Sequence, residues 1–285
     1  MLANSIEQPL YHYTGVNSLL GIARTKSLWA SNVFYLNDSS EIVHACKVLE
    51  EVLLPRFAFG KPTSPEYEFQ RQFREWVGTC KTTPYNVFVF SLSEQPSLLS
   101  QWRSYTPHGK GVSVGFSEGT IKSLSELSDL RIAKCLYKAA DQESVLRTLL
   151  DELLTTFQRE RSNIDTTQAH PTQCYHPFLE ERFRGDVLQV LSIIKHPAFE
   201  EEREWRLISP YYARYTVPAI KFREGASMLV PYIELPLGEV KPYFSSVILG
   251  PSQHEHLSMS ALSMFLSNQG LCNVTSNSVI PYREW

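Results

Sequence analysis

Residues 9–41, PLYHYTGVNSLLGIARTKSLWASNVFYLNDSSE, decide how the rest of the chain is read. Residues 10–14 alternate as a strand does, so Tyr11 and Tyr13 share one face while Leu10, His12 and Thr14 share the other. Over residues 16–25, Val16, Leu19, Leu20 and Ile22 fall at helical spacing and form one apolar stripe. Residues 27–31 read as a second strand, and Leu36-Asn37-Asp38-Ser39-Ser40 turns into a further helix. Asn37 and Asp38 have two readings, as helix-capping residues or as part of a ligand-binding turn. His12 also has two, as a hydrogen-bonded structural residue or as a ligand contact.

Working outward, the helix that begins near Glu41 is expected to run to about Leu54, with Asp38 or Ser39 as its cap and Pro55 as its stop. Ser64-Pro65 opens another over residues 66–77. A strand over 86–93 ends in small polar residues, and a helical stretch over 97–105 carries Trp102, Arg103 and Tyr105. Gly109-Lys110-Gly111 reads as a tight turn into a strand over 112–116, since it lacks the spacing of a phosphate loop. Two strongly amphipathic helices follow, over 144–160 and 178–195, separated by a polar crossover. The chain then returns to strands over 203–208, 219–222, 228–235 and 246–250, a helix over 254–268, and a last strand near Val274. There is no repeat and no evident linker. The expected fold is α+β, one domain over 1–285 with a helical insertion at about 140–197.

At 285 residues and 43% hydrophobic, the chain is long enough to bury a sizeable core, and 12% aromatics favour β structure or stacking surfaces. A net charge of −3 gives no bulk attraction for nucleic acid and leaves only a local groove to provide it. Cys46, Cys80, Cys135, Cys174 and Cys272 are scattered and lack a CxxC pair, which fits neither a zinc site nor a disulfide framework. With no secretory signal pattern and no long apolar run, the expectation is a cytoplasmic protein that does not engage a membrane. No metal is expected: HExxH spacing is missing, and His254 and His256 would point apart at a helix start.

The second informative stretch is Glu200-Glu201-Glu202-Arg203-Glu204-Trp205-Arg206. As a strand it places Glu202, Glu204 and Arg206 on one face, with Arg203, Trp205 and Leu207 on the other. A guanidinium beside a carboxylate favours the charged carboxylate, and an ordinary Glu–Arg pair on a sheet face would read the same.

Taken together, HYT…SLW…YLNDSSE, FSLS…LLSQWRSY…GKGVSVGF, KHPAFEEEREWRL, VPY and VILGP resemble an uncharacterised bacterial family, domain-of-unknown-function family 2971. The order of parts is also similar to the ADP-ribosyltransferase superfamily: a His in a first strand, a Ser/aromatic strand–helix segment, and a Glu in a late strand. That resemblance implies an ADP-ribosyltransferase-like mixed or antiparallel β core. It also implies NAD as substrate, cleavage of its nicotinamide–ribose bond, and transfer of ADP-ribose to a nucleic-acid or protein acceptor. A toxin or phage-defence setting would follow from the toxin-like relatives.

Carried over by position, His12 binds ribose, with Tyr13 and Thr14 beside it. Glu204 is the catalytic carboxylate, with Glu202 the competing choice and Arg206 on the same face. Ser91, Trp102 and Tyr105 fall where nicotinamide is contacted, and Asn37 and Asp38 are further candidates. Glu204 is preferred because it lies deeper in the expected strand, next to Trp205. Alternatives are an NAD glycohydrolase, with water as acceptor, and a non-catalytic nucleotide-binding or interaction module.

Overall fold

The structure is a computed structural model that describes residues 6–37, 40–57, 64–107, 111–167, 169–225, 227–239 and 241–280. Its strands are β1 (Leu10–Gly15), β2 (Ser27–Asn32), β3 (Phe88–Ser93), β4 (Gly111–Phe116), β5 (Arg131–Lys134), β6 (Glu204–Ile208), β7 (Lys221–Glu224), β8 (Leu229–Pro236), β9 (Ser246–Leu249) and β10 (Thr275–Asn277). The α-helices are α1 (Val16–Thr25), α2 (Glu41–Phe57), α3 (Pro65–Thr79), α4 (Leu99–Tyr105), α5 (Glu118–Leu127), α6 (Ala139–Glu160), α7 (His176–Leu191) and α8 (Glu255–Gln269). The strands form one ten-stranded sheet, antiparallel except for the β9–β10 pair, so the class is α+β with a mixed sheet. Among the described residues, no helix is long and apolar enough to cross a membrane.

The sheet separates two cores. On one side α2, α3, α6 and α7 pack Leu49, Phe73, Leu150 and Val187 against Val89 and Ile208. Phe69 and Phe157 stack there with ring centres 3.9 Å apart. On the other side Leu19 and Ala23 of α1, Ile121 of α5 and Leu266 of α8 meet Phe90, Phe116 and Leu207. The two amphipathic helices of the middle therefore contribute their buried side chains to a core shared with α2 and α3.

Strand β3 explains the site. One of its edges pairs with β6 along its length, from Val89↔Ile208 to Ser93↔Glu204. The other edge is divided: β2 joins it at Ser31↔Val89 and Asn32↔Phe88, and β1 joins it only at Tyr11↔Ser93. Between these points β1 leaves to pair fully with β4 and β2 leaves to pair with β8. The sheet is thus split over Phe90, Ser91 and Leu92. A buried backbone acceptor cannot be left open there without cost, and the His12 ring supplies the missing partner, with Nδ1 2.9 Å from the Ser91 carbonyl oxygen.

Several local expectations are corrected. Pro55 does not stop α2, which continues to Phe57; the one bond its absent N–H would make, to the Glu51 carbonyl, is lost, and only two helical residues follow it. The helix expected from Ser144 starts at Ala139. α5 and β5 are not among the elements expected from the sequence. Glu202 is not in a strand: it ends a 3₁₀ turn, Pro197–Glu202, and β6 begins at Glu204. Asp38, Ser39, Gly109 and Lys110 lie outside the described residues.

Candidate functional site

The centre of the site is built by β6. Its alternation sends Trp205 and Leu207 into the α1/α5/α8 core and leaves Glu204 and Arg206 on the opposite face. Arg203, with φ of 43°, sits in the left-handed region and turns the chain sharply between Glu202 and Glu204. That turn lets both carboxylates reach one ammonium group. Lys195 Nζ donates to Glu202 Oε2 at 2.5 Å and to Glu204 Oε2 at 2.7 Å. Arg206 donates Nε to Glu204 Oε1 at 2.8 Å and Nη2 to Glu41 Oε2 at 2.9 Å. Glu41 Oε1 also lies 3.5 Å from Lys195 Nζ.

The backbone around these groups is held as tightly. Lys195 N–H donates to Leu136 O, and Gln142 Nε2 donates to the carbonyls of both Leu136 and Lys195. Glu204 N–H donates to the Tyr137 hydroxyl at 2.9 Å, and Ser93 Oγ donates to the Glu202 carbonyl at 2.6 Å.

Three carboxylates and two cations are buried together, so the cluster carries one surplus negative charge when all are ionised. Burial works to raise the Glu204 carboxyl, but Arg206 and Lys195 outweigh it and hold the group well below the usual carboxylate range. Glu202 goes the other way: burial raises it, and the single Lys195 contact offsets this only in part. Lys195 stays charged, because Glu204, Glu41 and Glu202 overcome its desolvation. Glu204 is therefore a fixed anion with both oxygens engaged. Glu202 is the member of the pair suited to exchanging a proton, and its Oε1 has the Tyr105 hydroxyl 3.4 Å away.

Over this cluster lies a cavity of about 440 Å³. It is lined by His12 and Ser91 at the split, by Tyr105 of α4, by Asn37, and by Glu202, Glu204 and Arg206. His12 is neutral there, since burial lowers its pKa despite the bond to Ser91, and it stacks on Phe90 with ring centres 4.4 Å apart. Burial, reinforced by Glu202, raises the Tyr105 phenol, which stays protonated.

Not every expected residue comes to this cavity. Trp102 turns inward, edge-on to Tyr13 at 4.8 Å, with its indole N–H on Ser97 Oγ. The Tyr13 hydroxyl donates to Gln95 O and accepts from Leu98 N–H. Both residues pack with Ile248 in a small separate core. Thr14 lines an adjoining cavity instead. Sequence reasoning missed Lys195, Glu41 and Trp29, all of which line the main cavity. Lys195 opens the KHPAFEEEREWR run, and a lysine just ahead of four acids was the available signal. Among the described residues, no group of three His, Cys, Asp or Glu side chains is arranged to hold a metal ion.

Residues 101–207 match the model of a family described as a protein of unknown function, DUF2971. The matched segment contains Tyr105, Lys195, Glu202, Glu204 and Arg206, while His12, Glu41 and Ser91 precede it. No curated protein and no solved structure matches the chain.

Proposed function

We propose that this chain is an ADP-ribosyltransferase-like enzyme that cleaves the nicotinamide–ribose bond of NAD and passes ADP-ribose to a nucleic-acid or protein acceptor. One observation carries the reading. His12, Ser91, Tyr105, Glu202, Glu204 and Arg206, picked out in the sequence for this chemistry and scattered from β1 to β6, line a single cavity.

The chemistry follows from the charges. As the C1′–N bond breaks, its electron pair leaves with nicotinamide and positive charge develops on the ribose. A carboxylate held rigidly in a site of low dielectric stabilises that charge without reorganising. Glu204 supplies the fixed charge, and Glu202, with its raised pKa, takes the proton that the acceptor loses on attacking C1′. Neutral His12 offers an imidazole edge to the ribose hydroxyls, and Tyr105 a ring face to the leaving group.

A second reading is favoured by the engagement of both Glu204 oxygens by Arg206 and Lys195: a non-catalytic nucleotide-binding module in which the cluster is purely structural. Nicotinamide release from NAD, followed with and without DNA, RNA and cell lysate, separates the two. For the transferase reading, Glu204→Gln and His12→Ala should each lower release by at least about 100-fold. A wild-type protein that binds NAD but releases no nicotinamide under any of these conditions would leave only the binding module.

A further inference from the structure

A second cavity, of about 430 Å³, adjoins the first at the split in the sheet. The two share His12, Trp29, Ser31, Phe90 and Arg223. Their charge differs. The first is lined by three carboxylates, Glu41, Glu202 and Glu204, and by three cations, Lys195, Arg206 and the shared Arg223; the second has no carboxylate, and its charged residues are Arg24, in the last turn of α1, and Arg223 of β7. Thr14, Asn17 and Ser18 add hydroxyl and amide groups. Among the described residues neither arginine makes an ion pair; Arg223 Nη2 donates to Ser31 Oγ at 3.2 Å. Most of ten guanidinium N–H donors are therefore open to a ligand. At the junction stands Trp29, 42% exposed although large and apolar, its ring backed by Tyr232 at 4.5 Å.

We propose that this second chamber is a phosphate site, in which Arg24 and Arg223 hold the diphosphate of a nucleotide and Trp29 offers a ring face to it. The inference deepens the transferase reading and rests on it for the ligand's orientation. In the first cavity three carboxylates offset the cations, whereas the second presents two arginines and no carboxylate to an anionic diphosphate. The dinucleotide is therefore oriented with its reacting ribose toward the carboxylates and its phosphates toward α1. Arginine forks suit phosphate oxygens, which accept paired, charge-assisted hydrogen bonds. The cavity falls within the size range of small-molecule sites.

The test is calorimetric titration of the full chain with ADP, inorganic pyrophosphate and adenosine. Arg24→Ala, Arg223→Ala, the double variant and the double Lys variant are titrated beside the wild type. Both arginines are at least partly exposed, so the variants should fold. ADP is expected to bind more tightly than adenosine, each Ala substitution to weaken ADP about tenfold or more, and the Lys pair to restore part of the loss. Equal affinity for ADP and adenosine, no ADP binding by wild type, or unchanged ADP binding in the double Ala variant would overturn the site. A single-stranded oligonucleotide that binds more tightly than ADP and loses that affinity in the double Ala variant would overturn the nucleotide assignment.

The two readings fail separately. Arginine-dependent ADP binding in a protein that never releases nicotinamide upholds this site and removes the transferase. Nicotinamide release in a protein whose ADP binding ignores both arginines does the reverse.

Discussion

Replacing Lys195 with Met tests the buried cluster most sharply. The ammonium lies 2.5 Å from Glu202, 2.7 Å from Glu204 and 3.5 Å from Glu41. None of these four side chains is more than 11% exposed, so solvent screens them little. Methionine preserves most of the volume, and the change is chiefly electrostatic. It leaves Arg206 alone to balance three carboxylates. Removing one partner from a buried ion pair costs about 3–5 kcal/mol, and the upper part of that range is expected because two close carboxylate contacts are lost at once.

The pH dependence gives this prediction its sign. Without Lys195 the remaining carboxylates bind a proton more readily in the folded state than in the unfolded chain. A group whose folded pKa is raised stabilises below its unfolded pKa and loses that stability as pH rises through the folded one. The variant should thus be most damaged at about pH 8 and recover part of the loss by about pH 5.5. Urea unfolding of wild type and variant at both pH values is the assay. A loss under about 1 kcal/mol, or the same loss at both pH values, would refute the reading of a charge-balanced cluster.

Two further expectations concern the same cluster, and two concern packing elsewhere. In the wild type Glu204, with its depressed carboxyl, should stabilise above the unfolded carboxylate range and lose that contribution as pH falls through it, and Glu204→Gln should abolish this acid limb in thermal unfolding. Glu202 has the opposite shift, so Glu202→Gln should be better tolerated at neutral than at acid pH in the same scans. Trp102→Ala should cost about 3–5 kcal/mol in urea unfolding, since the indole is buried against Tyr13 rather than presented to a ligand. Gly250→Ala should cost about 1–3 kcal/mol by the same measure, because a Cβ there meets the Gly111 carbonyl and the Trp102 ring at 3.0 Å, the carbonyl held by the Gly250 N–H and the ring by Tyr13 and Ser97.

The parts of the site that were legible in the sequence are those set by local periodicity. Strand alternation put Glu204 and Arg206 on one face and Trp205 on the other, and it placed His12 opposite Tyr11 and Tyr13. The first helix appears where its apolar spacing put it, over Val16–Thr25. What could not be read depends on distant pairing. Glu41 meets Arg206 across 165 residues, and no local pattern announces that contact. Lys195 follows α7, and only the turns after it bring its ammonium to β6.

Trp102 and Tyr105 lie three apart on the seven-residue helix α4, too short for periodicity to say which aromatic turns inward. The split itself is a matter of register: β1 and β2 both read as strands, but nothing in either says that they share one edge of β3 and then part. The arginine-lined chamber was invisible for the same reason, since α1 and β7 are brought together only by that parting.

The most direct measurement is a crystal structure of the Glu204→Gln protein soaked with NAD at saturating concentration. Intact NAD should lie across the split, with its nicotinamide riboside beside His12, Tyr105 and Glu202 and its phosphates toward Arg24 and Arg223. Density for the dinucleotide elsewhere on the protein, or an empty cleft under conditions where calorimetry shows NAD binding, would contradict the site proposed for it.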